Sequence, residues 1–471
     1  MIKTFYELLD GKKEKTAIFY KDEKISYKQL KEKIEERCDE LKDIVSKRDK
    51  IIIKVSNTPK AIIDIYAIDK LGCVIIPVNP LATEKEIKEI TEDVKANIII
   101  SENEIKRISD EKINNLPEDA SLIFYTSGTT GKPKIIIHTK ESIITPCYEE
   151  GKVYGIKEND IIGGTPSLSF TYGFGAFAII PFLFGASVSL FIQRILIDNA
   201  DPPIKSVVQG TKILETIEKH KITVFYSIPT TYRTLLEILL RMPEKYDLNS
   251  LRLLVTAGEP MGILLYNKLK NILPKVEILE HLGCTESFHA IVSNTPKNIR
   301  PGSIGKEIPC YKVKIFDENG DECLPNVKGN FAYKGPSGKY LKKTEENEWM
   351  FTGDIAYKDE EGYFWFVSRN DDLIKTAGYL VSPHEIENIL MEHQAVLEVA
   401  VVGIPDPWIN QRIKAFIVLK DGFKPSDKLK DTLIKFLVPL LPEYKIPSEI
   451  EFVDSIPKNK RGKILRKRLR S

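Results

Sequence analysis

Leu122-Ile123-Phe124-Tyr125-Thr126-Ser127-Gly128-Thr129-Thr130-Gly131-Lys132-Pro133-Lys134-Ile135-Ile136-Ile137 reads as strand, loop, strand, two short apolar β-type runs joined by glycine and hydroxyl residues. The glycines free the backbone to turn successive N–H groups inward, and such groups form an anion-binding nest. The hydroxyls of Thr126, Ser127, Thr129 and Thr130 and the ammoniums of Lys132 and Lys134 add donors and positive charge, so the preferred guest is a phosphate. A solvated hairpin turn is the plain alternative for any short Ser/Thr/Gly tract, but the density of donors favours phosphate. The common phosphate loop needs a longer gap between its glycines and then Gly-Lys-Ser/Thr ahead of a helix. Here Gly128 and Gly131 stand closer, Lys132 precedes a proline and a strand follows, which disfavours a kinase or ATPase of that class.

Around this stretch the chain alternates helix and strand. Ser26-Tyr27-Lys28-Gln29 is a capping box opening a helix with Leu30, Ile34, Cys38 and Leu41 on one face. Strands at 51–53, 74–78 and 98–100 are separated by helices near 61–71 and 84–94, and further strands fall near 223–226, 251–256 and 276–279. That order predicts an α/β fold with a mainly parallel sheet covered on both faces. From 313 to 366 short β-runs punctuated by Asn319-Gly320, Lys328-Gly329 and Glu361-Gly362 predict hairpins and a small β-rich unit. Strand and helix elements then return, with Ser382-Pro383-His384-Glu385 as a helix start carrying proline at the first position and a capping-box glutamate.

The 471 residues exceed what one core holds and suggest roughly two to four structural units. A hydrophobic content of 42%, a charged content of 29% and a net charge of +2 describe a globular chain with no global field for nucleic acid or membrane surfaces. Six cysteines without a Cys-x-x-Cys pair disfavour a zinc site or a disulfide framework, and a reducing cytoplasm is the expected setting. The stretch from Ile161 to Gln193 has no charged residue and is long enough to span a bilayer. Pro166, Pro181 and several glycines break it, so buried strand, loop, helix, strand is the favoured reading.

Three further places carry chemistry. Gly283-Cys284-Thr285-Glu286 follows a strand, where open α/β sheets bind ligands, and a carboxylate near a triphosphate holds Mg²⁺; a helix cap is the ordinary alternative. Thr352-Gly353-Asp354 offers a turn carboxylate for ribose hydroxyls, against a plain β-turn aspartate. Near the end, Pro457-Lys458-Asn459-Lys460-Arg461-Gly462-Lys463 puts a lysine after a flexible glycine, against a merely basic tail.

Together and in this order, these motifs resemble the acyl-adenylate-forming superfamily across nearly the whole chain. The likeness is nearest to acyl-CoA synthetases of the benzoate-CoA ligase-like group, through the run from Glu277 to Glu286, Ser293-Asn294, Arg300-Pro301-Gly302-Ser303 and Gly378-Tyr379-Leu380-Val381-Ser382-Pro383. The resemblance implies a large N-terminal domain over residues 1–370 that binds ATP and acid, a hinge at Asp371, and a small mobile α+β C-terminal domain over 371–471. Thr126, Ser127, Gly128, Thr129, Thr130, Gly131 and Lys134 would hold the ATP phosphates. Gly258, Glu259 and Pro260 would lie against adenine, and Asp354 and Arg369 would serve the ribose and nucleotide. Thr285 would contact the α-phosphate and Glu286 would bind Mg²⁺. Lys463 would enter the site during adenylation, and Gly378 would line the tunnel for coenzyme A. The chain departs from the family pattern at Arg461, where a small hydroxyl residue is usual, and at Leu282, where many members have an aromatic residue. The implied partners are ATP, Mg²⁺, CoA and a small carboxylic acid, with no nucleic acid, no membrane span and a dimer as the expected assembly.

The resemblance places the acyl pocket around Phe170, Thr171, Tyr172, Gly173, Glu280, His281, Leu282 and Gly283. His281 stands where aryl-CoA ligases tend to have glycine. It either narrows the pocket for a small aryl or short-chain acid, or turns away and hydrogen-bonds in the core. Two other activities stay open: an adenylation enzyme that loads a carrier protein, and a non-catalytic nucleotide-binding protein.

Overall fold

The computed structural model describes residues 2–101, 104–110, 116–126, 134–191, 202–341, 348–376, 379–458 and 464–470. The chain divides into two compact units, Met1–Val313 with Tyr333–Met350, and Lys314–Ala332 with Phe351–Ser471.

Two large sheets organise the first unit. One runs in the order Lys306–Glu307, Ala290–Ser293, Glu277–Gly283, Leu253–Thr256, Val224–Ser227, Ile161–Gly164, Ser187–Leu190, Thr16–Tyr20 and Glu23–Ser26. Its centre is parallel and its edges are antiparallel. The other runs Lys339–Tyr340, Lys134–Thr139, Ala120–Thr126, Val74–Val78, Lys50–Lys54, Ile98–Ile100 and Ile105–Arg107. Helix Tyr27–Leu41 forms where the sequence places it: Ser26 caps Gln29 in a full capping box, and Leu30, Ile34, Cys38 and Leu41 are buried. Helix Pro59–Lys70 buries residues on all sides, including Ile62, Ile65, Tyr66 and Ile68, because it shares a core with strands of both sheets.

The uncharged stretch resolves as strand Ile161–Gly164, a helical segment over Thr171–Leu183 with a π-helical middle, and strand Ser187–Leu190. Phe174, Phe177, Ile180 and Phe182 are all in the main core, which accounts for the missing charges. No helix among the described residues is long and apolar enough to cross a membrane.

The second unit contains a small sheet in the order Lys312–Phe316, Gly329–Lys334, Met350–Lys358, Phe364–Arg369, and a second sheet of Tyr379–Val381, Ile374–Thr376, Asn410–Leu419 and Val396–Asp406, with Glu449–Phe452 beside Asn410–Leu419. Three local expectations need correction. Lys328-Gly329 is not a hairpin turn. Gly329 opens a strand, and a Cβ there would lie 2.4 Å from the Phe316 carbonyl oxygen, so close approach explains the glycine. Helix Pro383–Leu390 does carry proline at its start, but the capping box does not form. Ser382 Oγ instead donates to the Val367 carbonyl at 2.6 Å, and Glu385 pairs with Lys445 at 2.7 Å. Asp354 lies inside strand Met350–Lys358 rather than in a turn, because its register partner Arg369 draws it into the ladder.

Candidate active site

The two strands expected on either side of the loop both form. Ala120–Thr126 and Lys134–Thr139 pair antiparallel, with Thr126 opposite Lys134. Ser127, Gly128, Thr129, Thr130 and Gly131 lie outside the described residues, as do Gly378 and Lys463.

Strand Glu277–Gly283 changes partners along its length. Residues 277–280 pair parallel with Leu253–Thr256, and 281–283 pair antiparallel with Ala290–Ser293. The intervening turn carries Thr285 and Glu286, and it is tightly fixed. Phe288 adopts φ +68, an unusual conformation for a bulky residue, while its ring packs between Phe124, His138 and Phe174. The Thr285 carbonyl accepts from Phe288 N at 3.2 Å and faces His138 Nε2 at 2.9 Å. Burial pushes His138 down to about 4, so the ring is neutral and Nε2 carries the proton it donates to Thr285. Gly338 N donates to the Glu286 carbonyl at 2.8 Å. The Glu286 carboxylate accepts from Tyr340 Oη at 2.5 Å and lies 3.8 Å from Lys134 Nζ. Lys134, at the end of the expected phosphate loop, and the expected metal carboxylate therefore lie 3.8 Å apart. Sequence reasoning missed His138 and Tyr340, which no local motif marks.

Glu286 Oε2 takes no hydrogen bond or ion pair among the described residues, and its side chain is 15% exposed. One oxygen ligand that water can reach suits Mg²⁺, which keeps several waters and is held by one or two carboxylates plus substrate phosphates. Among the described residues no three His, Cys, Asp or Glu side chains cluster as a metal cage, so the nucleotide would supply the other ligands.

The Gly258-Glu259-Pro260 segment leaves strand Leu253–Thr256 with Gly258 at φ +86. Glu259 accepts from Thr230 Oγ1 at 3.0 Å, and Met261 N donates to Glu280 Oε1 at 3.0 Å, tying this loop to the Thr285 strand. Burial pushes the Glu280 carboxyl up to about 7. A carboxyl raised this far stabilises the fold fully only below its unfolded value, and the contribution is lost as pH rises through 7. Glu280→Gln keeps the acceptor for Met261 N and removes the titration. It should therefore gain about 1–3 kcal/mol relative to the parent at pH 8.5, with no gain at about pH 4, below the unfolded value, as read by urea unfolding at the two pH values.

Among the expected acyl residues, His281 meets the half-buried Tyr172. Phe170 precedes the helical turn Thr171–Phe174, and a Cβ on Gly173 would strike the Ser167 carbonyl oxygen at 2.2 Å. Tyr172 Oη reaches the carbonyls of Ser227 (3.1 Å) and Val255 (3.2 Å), fixing the ring across two parallel strand ends. His281 sits edge-on to Tyr172, with centroids 5.3 Å apart, and its Nδ1 meets Tyr154 Oη at 2.9 Å. Burial holds His281 at about 4, hence neutral. So His281 both hydrogen-bonds in the core and touches the acyl segment. Leu282 is half-buried; a Cβ on Gly283 would meet the His289 carbonyl oxygen at 2.2 Å.

In the second unit, Asp354 Oδ1 accepts from Arg369 Nη1 at 2.8 Å, and Arg369 also holds the Thr352 carbonyl at 2.9 Å. Gly353 takes φ +77, and a Cβ there would come within 3.1 Å of the Arg369 guanidinium. Arg369 leads into the short 3₁₀ turn Asn370–Asp372, which includes Asp371.

Residues 5–339 match the model of the AMP-binding enzyme family, and residues 385–463 match the AMP-binding enzyme C-terminal domain. The chain belongs to the AMP-binding enzyme family. Acetyl-coenzyme A synthetase of Bacillus subtilis (strain 168) is 33% identical over 99% of this chain and 90% of its own length. Benzoate–CoA ligase of Thauera aromatica is 34% identical over 75% of this chain and 66% of its own length. The crystal structure of the anthranilate CoA ligase AuaEII in complex with anthranoyl-AMP superposes with a TM-score of 0.87 at 30% identity, covering 99% of this chain and 96% of that one. This AMP-binding enzyme is an adenylating ligase of the acyl-CoA synthetase type, with the mixed α/β architecture of that group.

Proposed function

We propose that this enzyme activates a small carboxylic acid, aryl or short to medium chain, with ATP and transfers the acyl group to coenzyme A. The observation that carries the reading is the meeting of Lys134, at the end of the phosphate loop, with the Glu286 carboxylate on the fixed Thr285–Glu286 turn. In the first step the acid's carboxylate attacks the α-phosphorus in line and pyrophosphate leaves. Little covalent chemistry falls to the protein, so positioning and charge stabilisation dominate. Thr285 would meet the α-phosphate, Glu286 would hold Mg²⁺ for the leaving phosphates, Gly258-Glu259-Pro260 would receive the adenine, and Asp354 and Arg369 would receive the ribose. Lys463 would neutralise charge between carboxylate and α-phosphate. In the second step the CoA thiolate attacks the acyl-adenylate and AMP leaves. A hinge at Asp371, dividing 1–370 from 371–471, would withdraw Lys463 and bring Gly378 to the thiol path.

The preference for a small acid is supported by His281, whose imidazole lies against Tyr172 at the strand end. Pyrophosphate release measured across benzoates and straight-chain acids tests the reading: turnover that needs both acid and ATP and yields the CoA thioester supports it. A product formed only on a carrier protein would favour the carrier-loading alternative. In the same panel His281→Gly should shift the kcat/KM ratio of a larger to a smaller acid by about 10-fold toward the larger. An unchanged profile would remove His281 from the pocket.

A further inference from the structure

We propose that Tyr340 is the positioning residue that sets both the Glu286 carboxylate and the Lys134 ammonium for the metal–triphosphate complex, an inference that rests on the reading of Glu286 as the Mg²⁺ carboxylate. Tyr340 lies 54 residues beyond Glu286 and reaches it by β-pairing. Lys339 and Tyr340 pair antiparallel with Ile137 and Ile136 on the strand that begins at Lys134. The same strand carries His138, which holds the Thr285 carbonyl, and Gly338 N holds the Glu286 carbonyl. A Cβ on Gly338 would lie 2.7 Å from His138 Nε2, so the edge strand is seated against that contact.

This arrangement gives Tyr340 two jobs. Its hydroxyl donates to Glu286 Oε1 at 2.5 Å, a charge-assisted bond that orients the carboxylate and leaves Oε2 for a cation. Its ring lies 5.5 Å from Lys134 Nζ, within the range of a cation–π contact, while the ammonium remains 3.8 Å from Oε1, too far for a direct hydrogen bond. A lysine that closed fully on Glu286 would neutralise the carboxylate and compete with Mg²⁺ for it. Tyr340 occupies the acceptor oxygen in its place with a neutral donor. The carboxylate thus keeps its charge for the metal, and Lys134 stays available for phosphate. Outer partners of this kind fix ligand orientation, and their loss typically weakens metal binding by about 10- to 100-fold.

The test titrates Mg²⁺ against binding of a non-hydrolysable ATP analogue, read by calorimetry, for the parent enzyme, Tyr340→Phe, Glu286→Gln and the double variant. Phe keeps the ring and the strand pairing and removes only the hydroxyl. The expected result is a rise of about 10-fold in the Mg²⁺ concentration for half-maximal analogue binding in Tyr340→Phe. The KM for the acid should stay at the parent value. The double variant should shift no further than Glu286→Gln alone, since the hydroxyl acts through that carboxylate. If Glu286→Gln shifts the Mg²⁺ dependence and Tyr340→Phe does not, or if the two shifts add, the positioning role is overturned while the metal reading stands. If Glu286→Gln itself leaves the Mg²⁺ dependence unchanged, the metal reading fails and the proposal with it.

Discussion

Lys463→Ala should lower pyrophosphate release by about 10²- to 10³-fold, the loss of a donor worth roughly 2.7–4 kcal/mol in the transition state, while thioester formation from supplied acyl-AMP stays within a few-fold of the parent. The asymmetry follows from what each half-reaction asks of a cation. Adenylation brings an anionic carboxylate to an anionic phosphate, and without a positive charge between them the approach is repulsive. Thiolysis starts from an activated mixed anhydride, in which the repulsion between carboxylate and phosphate has already been overcome. The substitution should also leave the fold intact, because the flanks of Lys463 are held independently of it. Leu465 N donates to the Pro457 carbonyl at 2.8 Å, Lys458 pairs with Glu398 at 2.7 Å, and Arg466 grips Glu387 through two bonds of 2.6 and 2.7 Å. Rapid-quench measurement of acyl-AMP formation, beside a thioester assay started from acyl-AMP and CoA, separates the outcomes. Equal loss in both steps would place the lysine in binding or domain arrangement. No loss in either would remove Lys463 from the chemistry.

Much of this was legible because it is local. Alternating apolar runs and helical periods marked the α/β layers, and Ser26-Tyr27-Lys28-Gln29 marked a helix start to the residue. The uncharged Ile161–Gln193 stretch could be read as buried because its prolines and glycines divide it at the places where the strand and helix ends fall. Thr285 and Glu286 could be placed at a strand end because a strand's exit is where α/β sheets gather ligands. Ring and hydroxyl contacts that bridge distant segments left no such mark. Tyr340 reaches Glu286 only because residues 339–340 pair with 136–137, some two hundred residues earlier in the chain. Ser382 looked like a cap, yet the carbonyl of Val367, brought near by tertiary packing, outcompetes the helix terminus for its hydroxyl. Asp354 looked like a turn residue because Gly353 precedes it, and only the pairing with Arg369 shows why the strand continues through that glycine. Periodicity and caps report what a residue does with its neighbours in sequence; the walls of a site are set by neighbours in space.

The pair Glu150–His289 is the clearest case, 139 residues apart and fully buried, and it carries the largest expected effect on stability. Glu150 projects from helix Lys140–Val153, and its Oε2 meets His289 Nδ1 and accepts from Ala290 N at 3.2 Å. His289 Nε2 faces the Tyr172 carbonyl at 3.0 Å. Both ring nitrogens therefore face acceptors, so each must carry a proton when Glu150 is ionised. Burial pushes the Glu150 carboxyl up, and His289 more than offsets this, leaving it below the ordinary carboxylate range. A depressed carboxyl contributes its stability above its unfolded value and loses it as pH falls below that value. Glu150→Ala should cost about 3–5 kcal/mol, the penalty for breaking a buried pair. It should also raise the KM for the acid, since Tyr172 loses a brace beside the acyl segment. Glu150→Gln is the informative contrast. Its amide oxygen can stand where Oε2 stands, accepting from Ala290 N and from Nδ1–H of a neutral His289, so that only the Nε2 contact with the Tyr172 carbonyl is lost. Its cost should then fall to about 0.5–1.5 kcal/mol, that of a single net hydrogen bond. Urea unfolding of the three proteins at pH 7, with acid KM measured in parallel, checks both halves. Equal losses for Ala and Gln would mean that the charge itself is needed. A small loss for both would mean that the buried pair contributes little to the fold and that Tyr172 is held by its own hydroxyl contacts to Ser227 and Val255.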